Sequence, residues 1–270
     1  MFKENQSFEI VAGEDRQFII LSRKIGADVA AQFEALALRR DMVALLTYLR
    51  DNRVVGTQAT GNLPLKAVRE VAARFVDPPK LEDKNGDRIR RTRSELDVWR
   101  LNFLHTLAHA GGLRSGGALR QLKLTPLGSK FLAAPAIGQV HIMLVIWWTQ
   151  VNWLMAYPYV GMGERLPDGF EATALNHLLA LPVGSNIPFE PFADKLIQDG
   201  GLTWTAPDLT HARMLLHGAI KHMVLRILAD FGMVELKHRE KPLGRGTIPE
   251  MVAFRVIPVG GILLESLAAW

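Results

Sequence analysis

Between Ser94 and Ala133 the apolar positions change period and mark out successive elements. Val98, Leu101, Leu104, Leu107 and Ala108 recur at spacings of three and four, the pattern of a helix with one buried stripe. Gly111-Gly112 stops it, Leu113 begins a short strand, a tip rich in glycine and arginine follows, and Leu122 to Leu124 supply a second strand. Thr125-Pro126 then opens another helix. The threonine hydroxyl can accept a free N–H of the first turn, and proline lacks only the N–H that the first helical position leaves unused.

Helix, hairpin and closing helix in this order predict a winged-helix-like unit. A second copy is predicted near the C-terminus. There Val224 and Ile227 take the places of Leu104 and Leu107, Gly232-Met233 those of Gly112-Leu113, and Val256-Ile257-Pro258-Val259-Gly260 those of Leu124-Thr125-Pro126-Leu127-Gly128. The offset grows along the copy, so the second hairpin is twelve residues longer than the first, and Ile257 stands where the first copy has its capping threonine.

The remaining pattern is simpler. Phe8 to Ala12 and Gln17 to Leu21 read as a small hairpin. Residues 27–52 read as a helix with Met42, Leu45, Leu46 and Leu49 on one face. In the next helix Asn62 can cap, Pro64 falls in the first turn, and Leu65, Val68, Val71, Ala72 and Phe75 form the stripe. Val76 to Thr92 has almost no apolar content and reads as a long exposed loop. The greasiest run, Val140 to Met155, contains His141, Thr149, Gln150 and Asn152, and suits a buried central helix better than a membrane span. A further helix around 171–181, a short one from Ile187 to Gln198, and a long one from Asp208 to about Phe231 lead into the second hairpin.

These elements predict a mainly α protein with small β-hairpins, an α+β arrangement of two winged-helix-like domains joined by a central apolar helix. The expected divisions are 1–135, 136–206 and 207–270.

Charge changes the picture more than composition does. The net formal charge is +5, yet Arg88 to Lys130 holds nine Lys or Arg against Glu95 and Asp97, a local +7, leaving −2 for the rest. A concentrated positive field favours a polyanionic partner. The candidates are Arg88, Arg90, Arg91 and Arg93 on the charged segment, Arg100 and Asn102 on the helix, and Arg114, Arg120 and Lys123 on the first hairpin. Lys237, Arg239, Lys241 and Arg245 add a second set on the second hairpin. Ser115-Gly116-Gly117 would let a phosphate approach the backbone closely. Glu95 and Asp97 at the start of the helix repel a duplex, so phosphate contacts by hairpins and charged segment are expected before base readout.

Other chemistries find little support. There is no cysteine, which removes disulfides, thiolate metal sites and a cysteine nucleophile, and fits a reducing cytoplasm. The phosphate-cradling G-x-x-x-x-G-K-[ST] is absent, and Gly161-Met162-Gly163 lacks the third glycine of a dinucleotide site. His105 and His109 could meet on one helix face, but Thr106 occupies the position where a hydrolytic H-E-x-x-H has glutamate, and no third ligand is indicated. No serine sits in a nucleophile-elbow context. Trp147, Trp148 and Trp153 read as core or helix interface rather than a stacking platform. Neither an enzymatic activity, a metal nor a cofactor is expected, and the charged N-terminus does not read as a secretory signal.

TGNLP followed by a charged loop, an Ala-Gly-Gly-Leu turn, LTPLG, the Asn152-Trp153 pair and Phe231-Gly232-Met233-Val234-Glu235 resemble a little-characterised group of bacterial proteins with tandem winged-helix-like domains. The resemblance covers about Asp41 to Leu264. It implies the fold and no activity. The expectation is a cytoplasmic protein that binds nucleic acid, most naturally duplex DNA, as a transcriptional regulator, with a homodimer compatible and no membrane partner. The rival is a protein-interaction or oligomerisation module of the same fold.

Overall fold

The leucine stripe of residues 38–49 is the first part of the sequence pattern to find its partners. In the computed structural model, which describes residues 27–85, 88–156, 166–244 and 246–269, these side chains are buried along one face of the helix Ala37–Asp51. The expected hairpin at residues 8–21 and part of the loop after Met155 lie outside the described residues. The chain divides into two compact units, residues 1–151 and 152–270.

Unit 1 runs α1 (Ala27–Ala35), α2 (Ala37–Asp51), β1 (Val54–Val55), α3 (Leu65–Ala72), β2 (Glu82–Asn85), β3 (Arg88–Arg91), a 3-10 turn (Glu95–Asp97), α4 (Trp99–Ala110), β4 (Arg114–Ser115), β5 (Gln121–Leu124), α5 (Pro126–Ala133) and α6 (Ala136–Gln150). The antiparallel sheet has the order β1-β5-β4, so the strand between the first two helices pairs with the last strand of the hairpin. Leu101, Phe103, Leu104, Leu107 and Ala108 bury α4 among α2, α3 and α6. Phe103 stacks on Trp99 at 5.0 Å and meets Trp147 edge-on at 5.4 Å. Truncating a core leucine such as Leu104 to alanine would cost about 2–5 kcal/mol.

Unit 2 runs α7 (Phe170–Leu179), β6 (Ile187–Pro188), α8 (Phe189–Asp199), α9 (Leu209–Ala219), a π-helical turn (Ile220–Leu225), α10 (Arg226–Asp230), β7 (Val234–Leu243), β8 (Gly246–Val256) and α11 (Pro258–Ala268), preceded by a 3-10 turn at Trp153–Ala156. Its sheet order is β6-β8-β7. The first strand again lies outermost beside the last.

The two units share their backbone joints atom for atom. Gly112 (φ +64) and Gly232 (φ +68) end their helices in the left-handed conformation that glycine adopts without penalty. At the first, Gly112 N–H bonds His109 O at 3.0 Å and Leu113 N–H bonds Ala108 O at 2.9 Å; at the second, Gly232 N–H bonds Ala229 O and Met233 N–H bonds Leu228 O, both at 2.9 Å. These are the paired 5→2 and 6→1 bonds of a Schellman motif. Past each hairpin, Thr125 N–H bonds Leu113 O and Ile257 N–H bonds Met233 O, both at 3.1 Å. The closing helices start at Pro126 and Pro258, and a Cβ on Gly128 or Gly260 would overlap the same two carbonyl oxygens. Thr125 also caps α5, accepting from Gly128 N–H at 2.9 Å while donating to Gly112 O at 2.7 Å, as the sequence predicts. Asp208 caps α9 through His211 N–H at 2.7 Å.

Several expectations need correcting. The apolar run does not join two domains. As α6 it belongs to unit 1, where twelve of its fifteen residues are buried and it packs on α1, α2, α4 and α5. The second unit does not begin at 207, because β6 pairs with β8 (Ile187 with Phe254) and draws α7 and α8 into the same core. The segment read as a long exposed loop holds an antiparallel hairpin, Glu82 pairing with Arg91 and Asn85 with Arg88. Helix α3 starts at Leu65, so Pro64 rather than Asn62 takes the cap position. Among the described residues, no helix is long and apolar enough to cross a membrane.

Candidate nucleic-acid interface

The tip of the β4-β5 hairpin, the loop 56–63 and the start of the 3-10 turn are tied together at one end of unit 1. Gly56 N–H bonds Arg120 O at 2.9 Å and Gly56 O accepts from Leu119 N–H at 3.2 Å; Thr57 N–H bonds Asn62 O at 2.9 Å; Leu63 N–H bonds the Glu95 carboxylate at 2.7 Å. Backbone bonding of this density fixes a loop that would otherwise lose considerable conformational entropy on ordering. Leu119, at the hairpin tip, holds φ +58, an unusual conformation for a branched side chain.

Four exposed cations stand on or beside these segments. Arg93 precedes the turn, its backbone N–H bonded to Asp97 at 2.8 Å. Arg120 sits at the tip and Lys123 on β5. Arg53, not singled out in the sequence, precedes Val54, which pairs with Leu122, so Arg53 and Lys123 flank one paired position. None of the four side chains has an acidic partner among the described residues. Lys237, on the hairpin of unit 2, is exposed as well.

The other expected contacts are placed differently. Arg100 donates to Asp41 at 3.1 Å, and Asp41 also accepts from Val76 N–H at 2.8 Å. This guanidinium is a structural partner of a carboxylate that is only 4% exposed. Arg114 is buried, with Nη1 reaching Gly116 O at 3.4 Å, and burial pulls its pKa down to about 10. Arg91 pairs with Glu82 at 3.2 Å, while Arg239 and Lys241 both grip Glu250 at 2.8 and 2.6 Å. Asn102 is half-buried between Leu101 and Phe103, both inside. The outer face of α4 offers only the half-buried Asn102, Thr106 and Ala110 and the exposed His109. Arg88 and Arg90 stand on β3, and Arg245 lies outside the described residues.

The sequence did not reveal a buried polar cluster beneath the interface. Glu95 and His105 are each 1% exposed, and His105 Nδ1 lies 2.9 Å from both carboxylate oxygens. Glu95 also exerts an attraction on Arg114. One carboxylate thus joins the loop 56–63, α4 and β4. His109 is exposed and does not share the bond, so the two histidines do not form the pair their spacing allowed. Among the described residues, no group of three or more His, Asp or Glu could hold a metal ion. Trp147 and Trp153 are fully buried and offer no surface for stacking.

Among the described residues the architecture is that of a mainly helical α+β protein with two three-stranded antiparallel sheets and a two-stranded hairpin. No protein-family model matches the chain, and neither a curated protein nor a solved structure resembles it.

Proposed function

We propose that this is a non-enzymatic nucleic-acid-binding protein of two winged-helix-like units, which holds the backbone of duplex DNA with the hairpin end of unit 1 and acts as a regulator. The observation that carries the reading is that Arg53, Arg93, Arg120 and Lys123, exposed and without acidic partners among the described residues, stand on or beside segments that backbone and carboxylate bonds tie together. Arg88 and Arg90 lie on β3, which ends two residues before Arg93. Such contacts orient a duplex without reading its sequence, since phosphates carry no base identity. The few open positions of α4 support backbone contact over base readout.

Four phosphate contacts contribute about −3.6 to the slope of log affinity against log salt concentration. A labelled random duplex titrated at increasing salt should bind the protein with at least that slope. Replacing Arg53, Arg93, Arg120 and Lys123 by alanine should flatten the slope by about that amount while thermal unfolding stays unchanged. Absence of binding at about 50 mM salt, or an unaltered slope in the quadruple variant, would overturn the proposal.

A further inference from the structure

Unit 2 carries a groove of about 670 Å³ between α9 and the outer part of the β7-β8 hairpin. Thr210, Arg213, Met214, His217, Gly218 and Lys221 line one wall, at spacings of three and one that place them on a single helix face. Ile248, Pro249 and Met251 line the other. Leu209 is 89% exposed, Met214 58% and Ile248 42%, so three large apolar side chains meet water around one depression. Single exposed hydrophobics are ordinary, but a cluster rimmed by polar residues marks an interaction site. The wall ends in the π-helical turn Ile220–Leu225, a rare local geometry found most often at functional sites. Gly218 leaves that wall without a side chain at its middle, allowing a close approach.

The charges around the groove indicate what approaches. Asp194 is engaged by Arg213 at 2.9 and 2.7 Å and by His217 at 2.7 Å, and the Arg213 guanidinium holds its carboxyl down at about 2. Glu190 also meets Arg213. Glu250 is bracketed by Arg239 and Lys241. The acids are therefore neutralised by local cations, and Lys221, with no acidic partner among the described residues, leaves an excess positive charge beside the apolar cluster. A duplex would leave Leu209, Met214 and Ile248 unmatched, because its outer surface is phosphate and sugar. A helix with one apolar stripe and an acidic flank matches both features. From Thr210 to Lys221 the wall is about 16 Å long, room for three turns of such a helix.

We infer that this groove docks an acidic amphipathic helix of another protein, the apolar stripe on Met214, Leu209 and Ile248 and a carboxylate on Lys221. The mode is helix-in-groove recognition, in which apolar anchors give affinity and flanking charge selects the partner.

The test uses the full chain and three labelled peptides of about 15 residues, enough for four turns: an amphipathic helix with leucine stripe and glutamate flank, the same helix with lysine flank, and a scrambled control. Fluorescence anisotropy should show the glutamate peptide binding about tenfold or more tightly than the others. Met214→Glu and Ile248→Glu should each weaken it by about tenfold or more at unchanged thermal stability, and Lys221→Glu should shift the preference toward the lysine peptide. Equal affinity for all three peptides, no binding at about 1 mM, or indifference to the substitutions would overturn the inference. Concentration-dependent self-association abolished by Met214→Glu would assign the groove to a second copy and overturn it as well. Duplex affinity measured on the same variants keeps this result separate from the nucleic-acid proposal, because Met214→Glu leaves the hairpin end of unit 1 untouched.

Discussion

His105 and Glu95 face each other inside unit 1, the imidazole Nδ1 equidistant at 2.9 Å from both oxygens of a carboxylate that also receives the Leu63 N–H. Removing either partner strands the other in a place water does not reach. Glu95→Ala or His105→Ala should lower stability by about 3 kcal/mol, a fall in melting temperature on the order of 10 °C. Glu95→Gln retains an oxygen for Leu63 and should cost less. Urea unfolding of the three variants would check the ranking.

The paired glycines allow a sharper comparison. Gly128→Ala and Gly260→Ala each push a methyl into a carbonyl oxygen, that of Leu113 and of Met233 respectively. Each should destabilise its own unit by about 1–3 kcal/mol. Gly117→Ala meets nothing within 4 Å and should change stability by less than about 0.5 kcal/mol. Limited proteolysis would show which unit loosens in each case.

Arg100 separates fold from binding. Its replacement by alanine leaves the buried Asp41 without its cation, a loss of about 3 kcal/mol. The salt slope of duplex binding, measured below the melting temperature, should remain that of the parent. A flatter slope would return Arg100 to the list of phosphate contacts.

Acidity should act through His141. Burial holds its pKa at about 4 in the folded chain, against 6.5 in the unfolded one. Between those values the unfolded chain takes up a proton that the folded chain refuses. Stability is full above pH 6.5 and declines as pH falls toward 4, by at most roughly 3 kcal/mol from this residue. His141→Leu should reduce the difference in unfolding free energy between pH 7 and pH 5, measured by urea titration at each pH.

Parts of this structure were legible in the sequence because their signals are local. The Gly111-Gly112 stop, the Thr125-Pro126 start and the three-four spacing of α4 each specify geometry within a few residues, and Gly232 with Gly260 reproduced the pattern. The membership of α7, β6 and α8 in unit 2 was not, since β6 is two residues long and meets β8 more than sixty positions later. Hairpin β2-β3 has no apolar alternation, and only Asn85-Gly86 hinted at a turn. The interface suffered most. Counting arginines along the chain registers charge but not the acids that fold brings against them, such as Asp41 on Arg100, 59 positions away, or the burial that removes Arg114 from the surface.

The long β7-β8 hairpin has a consequence for the molecule at work. Near its outer half, Glu250 lies between Arg239 and Lys241, so cross-strand charge pairs add to the backbone ladder of that stretch. Attractions at such an exposed site fade with added electrolyte. Rising ionic strength should therefore loosen these charge pairs while the backbone ladder beneath them and the leucine-packed interior hold, leaving the hairpin's charged side chains, not its strands, to respond to the surrounding medium.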